Sequence, residues 1–364
     1  MIEDGGRMMC SDYMLWAKTR SQARFNLASS GLVNYPLRGL PLKLEDLELS
    51  GPSYYGYEPL QEALARKNKV PAACVVAAAG TSMANHLAMA ALVRPGDEVL
   101  IEHPTYELLI ATAGYLGAQV KSFSRRAEEG FRLDPEEIER RMTGRTRLIV
   151  LTNLHNPTSV LAPEDSLRRV GEIARRKGAH VLVDEVYLDA LFERAPRSAF
   201  HLGEEFLATS SLTKVYGLSG LRCGWILANE ELALRLWRLN DLFGVIPAHA
   251  AERLSVLALA HLDRIADWSR QLLETNRALL NSFFGSRADI SCKEHEQGTV
   301  AFPRWNQGDS DGLCALLAQK YETSVVPGRF FGMSEHFRIG IGCETATLEG
   351  GLERLGRALD GLAR

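Results

Sequence analysis

Three short runs of branched aliphatic residues constrain this chain most: Val99-Leu100-Ile101, Leu148-Ile149-Val150-Leu151 and Val181-Leu182-Val183. Each is too short for a helix and too uniformly apolar for a half-exposed strand, so each reads as a strand buried on both faces. Amphipathic segments separate them. Pro163 to Lys177 predicts a helix between the second and third runs. Pro59 to Lys69, with Leu60, Ala63 and Leu64 at helical spacing, predicts another upstream. This alternation predicts an α/β fold with a mainly parallel sheet covered by helices. Ile226-Leu227-Ala228 adds a weaker strand signal.

A chain of 364 residues exceeds one ordinary domain. Long amphipathic helices from about Ala251 to Phe284 lead out of the central layer. They point to a smaller α/β domain holding the strand candidates Thr299 to Phe302 and Phe337 to Ile341. The first forty residues, with Gly31, Pro36, Gly39 and Pro41, show little periodicity and read as an arm. The expected division is 1–45 for this arm and part of the small domain, 46–250 for the large domain, and 251–364 for the small C-terminal domain.

Composition removes several function classes. A net charge of -3 gives no basic field for nucleic acid. The six cysteines are scattered without C-x-x-C spacing, which speaks against zinc and against a disulfide framework. The start has acids and glycines where a signal peptide would need a cationic start and an apolar stretch, so none is expected, and no apolar run approaches the roughly 18 residues of a membrane helix. A cytoplasmic protein is expected.

In open α/β sheets, ligands gather beyond the carboxyl ends of the strands. Asp184-Glu185-Val186-Tyr187 follows the third run. A strand-end acid can cap a helix, but it can also keep a pyridine nitrogen protonated, with the Tyr187 hydroxyl reaching an oxygen on the same ring. After the second run, Asn156-Pro157 is a turn opener whose amide can donate to that oxygen, and His155 reads as an ordinary loop residue. Leu207-Ala208-Thr209 leads into Ser210-Ser211-Leu212-Thr213-Lys214 and on to Arg222. A desolvated lysine there is a nucleophile toward an aldehyde, with Ser211 and Arg222 suited to a phosphate. Ala77 to His86 reads as a small-residue turn entering a helix, where Gly80, Thr81 and Ser82 form an anion site. Tyr106, past the first run, is core, rim or a platform for a planar ring.

Taken in order, Gly80-Thr81-Ser82, Pro104-x-Tyr106, Asn156-Pro157-Thr158, Asp184-x-x-Tyr187, Ser211-x-x-Lys214 and Gly220-x-Arg222-x-Gly224 resemble the class I/II aminotransferases, fold type I enzymes that use pyridoxal 5'-phosphate. The resemblance runs from Gly31 to Arg338. It implies that Lys214 holds the cofactor as a Schiff base and shuttles the substrate's α-proton. It implies that Asp184 pairs with the ring nitrogen, that Tyr187 and Asn156 bond the ring oxygen, and that Tyr106 stacks on the ring. Gly80, Thr81, Ser82, Ser211 and Arg222 would hold the phosphate. Arg338 would grip the substrate carboxylate, with Gly31 and Asn156 beside it. The substrates would be an amino acid and a 2-oxo acid. A homodimer with shared active sites is also implied, one of Tyr54, Tyr55 and Tyr57 crossing to the neighbour's phosphate, with Tyr55 slightly favoured.

The chain departs from the family pattern at Ser159, where a glycine is usual, and at Thr213, where a second serine is common. Transamination leads the functional reading. A carbon–sulfur β-lyase, a cyclase or a decarboxylase of the same fold shares the same anchors, and a non-catalytic ligand-binding relative is the remaining alternative. No second substrate-binding cation is legible: Arg24, Arg38 and Arg329 read equally well as surface charges, and Leu242 to Pro247 reads as pocket lining or as helix packing.

Overall fold

The structure, a computed structural model, describes residues 3–4 and 7–362. Its centre is a seven-stranded sheet built from β1 (Val75–Ala79), β2 (Glu98–His103), β3 (Gln119–Ser124), β4 (Thr146–Thr152), β5 (His180–Asp184), β6 (Phe206–Ser211) and β7 (Cys223–Leu227). The lateral order is β1-β7-β6-β5-β4-β2-β3. Strands β3, β2, β4, β5 and β6 pair in parallel, and β7 runs antiparallel to both β6 and β1. The expected mainly parallel α/β architecture is present. The aliphatic runs of β4 and β5 are fully buried, because helices cover both faces of the sheet.

The helices used below are α1 (Asp12–Thr19), α2 (Glu58–Asn68), α3 (Gly80–Leu92), α4 (Glu107–Tyr115), α5 (Glu164–Lys177), α6 (His249–Ala260) and α7 (Leu262–Gly285). Helix α5 shows how local sequence sets the packing. Glu164 and Asp165 sit in its first turn, Arg175, Arg176 and Lys177 in its last, and Leu167, Val170, Ile173 and Ala174 are buried against the sheet.

Two stretches depart from expectation. Ala77 to Ala79 is the end of strand β1, not a turn, and α3 starts directly at Gly80. Alanine is a poor strand former, which is why this strand gave no sequence signal; where it meets β7, a Cβ on Gly224 would collide with the Gly80 backbone. The arm is also more ordered than its composition suggests. Ser11 caps α1 by accepting from Met14 N, and Glu107 accepts from Asp12 N at 3.1 Å and Tyr13 N at 2.6 Å.

A smaller antiparallel sheet joins β8 (Val300–Ala301), β9 (Val326–Pro327) and β10 (Phe337–Gly340) in the order β8-β10-β9. Phe25–Asn26 pairs in parallel with Thr323–Ser324, so the beginning and end of the chain meet beside it. We propose the division 1–45, 46–250 and 251–364 as the domain plan, with α6 as the bridge, since it packs along α2. Among the described residues, no helix is long and apolar enough to cross a membrane, and no group of His, Cys, Asp and Glu side chains could hold a metal.

Candidate active site

The strand order explains the site. The parallel strands end on one edge of the sheet, and antiparallel β7 begins on that same edge. Walking across it one meets Gly80 to Ser82, Arg222, Ser211 to Lys214, Asp184 to Tyr187, Thr152 to Asn156, and Tyr106. A cavity of about 460 Å³ lies there, within the usual range for small-molecule sites. Of the residues named above as site candidates, Thr81, Ser82, Tyr106, Asn156, Asp184, Tyr187, Ser211, Lys214 and Arg222 line it.

Lys214 is partly buried, and its Nζ donates to Ser30 Oγ at 3.1 Å. Burial holds its pKa below the ordinary lysine value, favouring the neutral, nucleophilic amine. Tyr187 also donates to Ser30 Oγ, at 2.8 Å. Ser30 thus ties the lysine to the tyrosine, a role not legible in the sequence. Gly31 packs against the lysine stem, since a Cβ there would stand 3.2 Å from Lys214 Cδ.

Asp184 is buried at the end of β5. Its Oδ1 accepts from Val186 N at 3.1 Å and its Oδ2 from Asn85 Nδ2 at 2.8 Å. Burial pushes its pKa up to about 6, against the lowering effect of those bonds and of Lys214. The raised value fixes a sign. An aspartate protonated more readily when folded stabilises the chain at low pH, and this contribution is lost as pH rises from 3.8 to about 6. Asp184→Asn should therefore unfold at higher denaturant concentration than the wild type above pH 6, by about 2–3 kcal/mol in cofactor-free protein. Below the unfolded pKa of 3.8 the difference should vanish. Equal stabilities at neutral pH would refute the buried charge.

At the other end, Gly80 has φ +79 and a Cβ there would strike Arg222 Nη2, so only glycine fits this cradle. Arg222 is exposed and donates from Nη2 to Ala79 O at 3.1 Å. Two buried hydroxyl oxygens in the cavity wall, Thr81 Oγ1 and Thr213 Oγ1, have no protein partner. Buried polar atoms of this kind need a ligand or water. Together with Ser211, Ser82 and Arg222, they fit a phosphate.

Arg338 is fully buried and stands behind the cavity wall. Its Nη1 donates to Asn156 Oδ1 at 3.0 Å and its Nη2 to Tyr13 OH at 2.9 Å and Ala28 O at 3.1 Å, while Nε has no partner. Because Asn156 Oδ1 faces the arginine, its amide nitrogen is left to donate elsewhere. Tyr13, from α1, covers Arg338. The arm gave no sequence signal for this contact.

His155, read as an ordinary loop residue, is a fully buried tie. Its Nε2 donates to Pro104 O at 2.9 Å and its Nδ1 accepts from Thr158 Oγ1 at 2.6 Å, and burial keeps it neutral by lowering its pKa well below the usual value. Beneath it Glu102 and Arg125, both with fully buried side chains, pair at 3.0 Å. Glu102 Oε1 also accepts from the Thr152 amide and hydroxyl, each at 2.6 Å, and Thr152 Oγ1 accepts from Asn156 N at 2.9 Å.

Ser159 sits at φ +60, where the family's glycine would be unstrained. Its Oγ donates to Val300 O at 2.7 Å, tying the Asn156 loop to β8. Tyr55 lies outside the cavity, exposed, donating to Asp241 Oδ2 at 3.3 Å. None of Arg24, Arg38 and Arg329 lines the cavity; Arg24 pairs with Glu322 at 3.9 Å and Arg329 with Asp311 at 2.5 Å. Leu242 to Ile246 is a largely exposed stretch and does not line the cavity either.

The profile of the family described as aminotransferase class I and II matches residues 46–355. The chain belongs to the class I and II aminotransferase family. This family and its structural relatives depend on pyridoxal phosphate. The chain is similar to capreomycidine synthase of Streptomyces vinaceus, 33% identical, covering 96% of this chain and 93% of that protein. It is 26% identical to aspartate aminotransferase of Streptomyces avermitilis, covering 85% and 83%. Among solved structures, a PLP-dependent aminotransferase from Streptococcus suis superposes with a TM-score of 0.89 at 26% identity, covering 96% of each chain. For a class I and II aminotransferase family member, the grouping of Lys214, Asp184, Tyr187 and Asn156 around one cavity is the chemically telling feature.

Proposed function

We propose that this family member binds pyridoxal 5'-phosphate through Lys214, acts on a free amino acid and passes the amino group to a 2-oxo acid. The observation that carries the reading is the lysine itself. It is a desolvated amine in the wall of a cavity that a buried carboxylate and unpartnered hydroxyls also line. In this reading Asp184 pairs with the ring nitrogen, Tyr187 and the Asn156 amide hold the ring oxygen, and Tyr106 covers a ring face. Thr81, Ser82, Ser211 and Arg222, with the Gly80 backbone, hold the phosphate. When bound, the cofactor supplies a sink for the electron pair left on the substrate α-carbon. Lys214 Nζ takes the α-proton and returns it to another carbon, and its lowered pKa suits both steps.

Arg338 binds the substrate carboxylate in this reading, with the Tyr13 hydroxyl giving way. Arg338→Lys keeps the charge but loses the fork. It should raise KM for amino acids by about 10²-fold, equivalent to about 3 kcal/mol, with a smaller change in kcat. An unchanged KM in steady-state assays would remove the carboxylate role. The cavity lining contains Lys214 and Arg222 as its cations, and both are assigned to the cofactor.

A second reading has specific support. Capreomycidine synthase is similar over 96% of this chain, and the same lysine, once it holds the α-proton, serves loss of a β-substituent and ring closure equally well. Single-turnover spectra against a panel of amino acids separate the two. Conversion to pyridoxamine phosphate with release of a 2-oxo acid supports transamination; a cyclic or eliminated product with the cofactor returned to Lys214 supports the second reading.

We further propose a homodimer in which Tyr55 reaches the neighbour's phosphate. Exposed Tyr54, Tyr55, Leu242, Phe243 and Val245 lie on two segments that meet at the Tyr55–Asp241 contact, an apolar surface suited to burial between subunits. A solution mass of one chain would refute it.

A further inference from the structure

Asn85 lines the cavity beside Asp184, the one carboxylate in its wall. It projects from α3 and is 4% exposed. Its Nδ2 donates to Asp184 Oδ2 at 2.8 Å, and its Oδ1 accepts from Thr209 Oγ1 at 2.6 Å. Thr209 lies on β6, directly opposite Asp184 in the register. The three side chains form a directed chain. The Thr209 proton points at the amide oxygen, so the amide NH₂ is turned to the carboxylate. With the amide flipped, Asp184 would face an oxygen and Thr209 could keep no acceptor there.

The neighbours of Asn85 on α3 argue that this polar residue is not incidental. Ala84, Leu87 and Ala88 are fully buried, and an apolar side chain would pack among them without desolvation cost. Asn85 instead gives a neutral, fixed donor to a carboxylate that burial disfavours as an ion. Glu185, next in sequence, is not part of this arrangement: its Oε1 accepts from Ala199 N at 2.6 Å. The titratable groups that face Asp184 are Lys214, Tyr187 and Tyr106.

We propose that Asn85, oriented by Thr209, is a positioning residue that aims the Asp184 carboxylate at the cofactor's ring nitrogen and keeps it ionised, so that the nitrogen stays protonated. This rests on the cofactor reading above. The test loads the full chain with pyridoxal phosphate labelled at the ring nitrogen and follows that nitrogen's protonation by NMR across pH, alongside cofactor affinity. The wild type should retain the proton. Asn85→Leu should lose it at a pH lower by about one unit, a tenfold weaker hold, and Thr209→Val should shift it the same way by less. A purely structural role for Asn85 would lower stability and leave the nitrogen's titration where it was. Unchanged titration in both variants overturns the inference while leaving the cofactor reading intact. Should Asn85→Leu fail to fold, the isosteric Thr209→Val decides alone. A wild type that binds no cofactor overturns the functional reading and this inference with it.

Discussion

Lys214→Ala should lower turnover by on the order of 10³-fold or more while leaving the fold intact. Two functions depend on one atom. Nζ is the nucleophile that holds the cofactor, and it is the base placed to move the α-proton. Burial lowers its pKa from the ordinary lysine value, which favours the neutral amine that both functions need. The variant should still bind pyridoxal phosphate without a covalent link, because Asp184, Asn156, Ser211 and Arg222 do not depend on the lysine for their positions. Its loss should also free Ser30 Oγ to pair with Tyr187 alone. Steady-state kinetics and equilibrium binding of the cofactor check both halves. Turnover within tenfold of the wild type would remove Lys214 from the chemistry.

The second large effect is on stability. Arg125→Met should cost about 3–5 kcal/mol, because it leaves Glu102 charged and buried with no cation. Arg125 also donates from Nε to Phe131 O at 2.7 Å, which the methionine cannot replace. Glu102 in turn holds Thr152, and Thr152 holds the Asn156 backbone, so the damage should spread to the site and lower cofactor affinity. The double variant Arg125→Met with Glu102→Gln should recover part of the loss, since the uncompensated charge is gone. Denaturant unfolding of the three proteins measures this. A single variant as stable as the wild type would mean that the pair is not ionised in the folded chain.

The pattern of what was legible in the sequence has a physical cause. Short polar stretches at the ends of β-branched strands were readable, because parallel strands of this kind must be buried and their ends must converge on one edge. That placed Asp184, Asn156 and Tyr106 on one side of the molecule and put Lys214 near them. Contacts between elements distant in sequence were not readable. Glu102 and Arg125 become neighbours only because β2 and β3 lie side by side, and β3, with Gln119, Lys121 and Ser122, is an edge strand too polar for its run to stand out. Strand β1 was missed because three of its five residues are alanine. Asn85 was hidden inside a helix read for its first turn, and Tyr13 lay in an arm whose order depends on Glu107, more than ninety residues away.

Covalent attachment at Lys214 is the central claim, and one measurement tests it most directly. The protein is incubated with pyridoxal phosphate, reduced with borohydride, digested, and its peptides are identified by mass. The expected result is a single modified peptide, the one containing Lys214, with the modification absent from Lys214→Ala. No modified peptide, or modification at another lysine such as Lys67, would contradict the account.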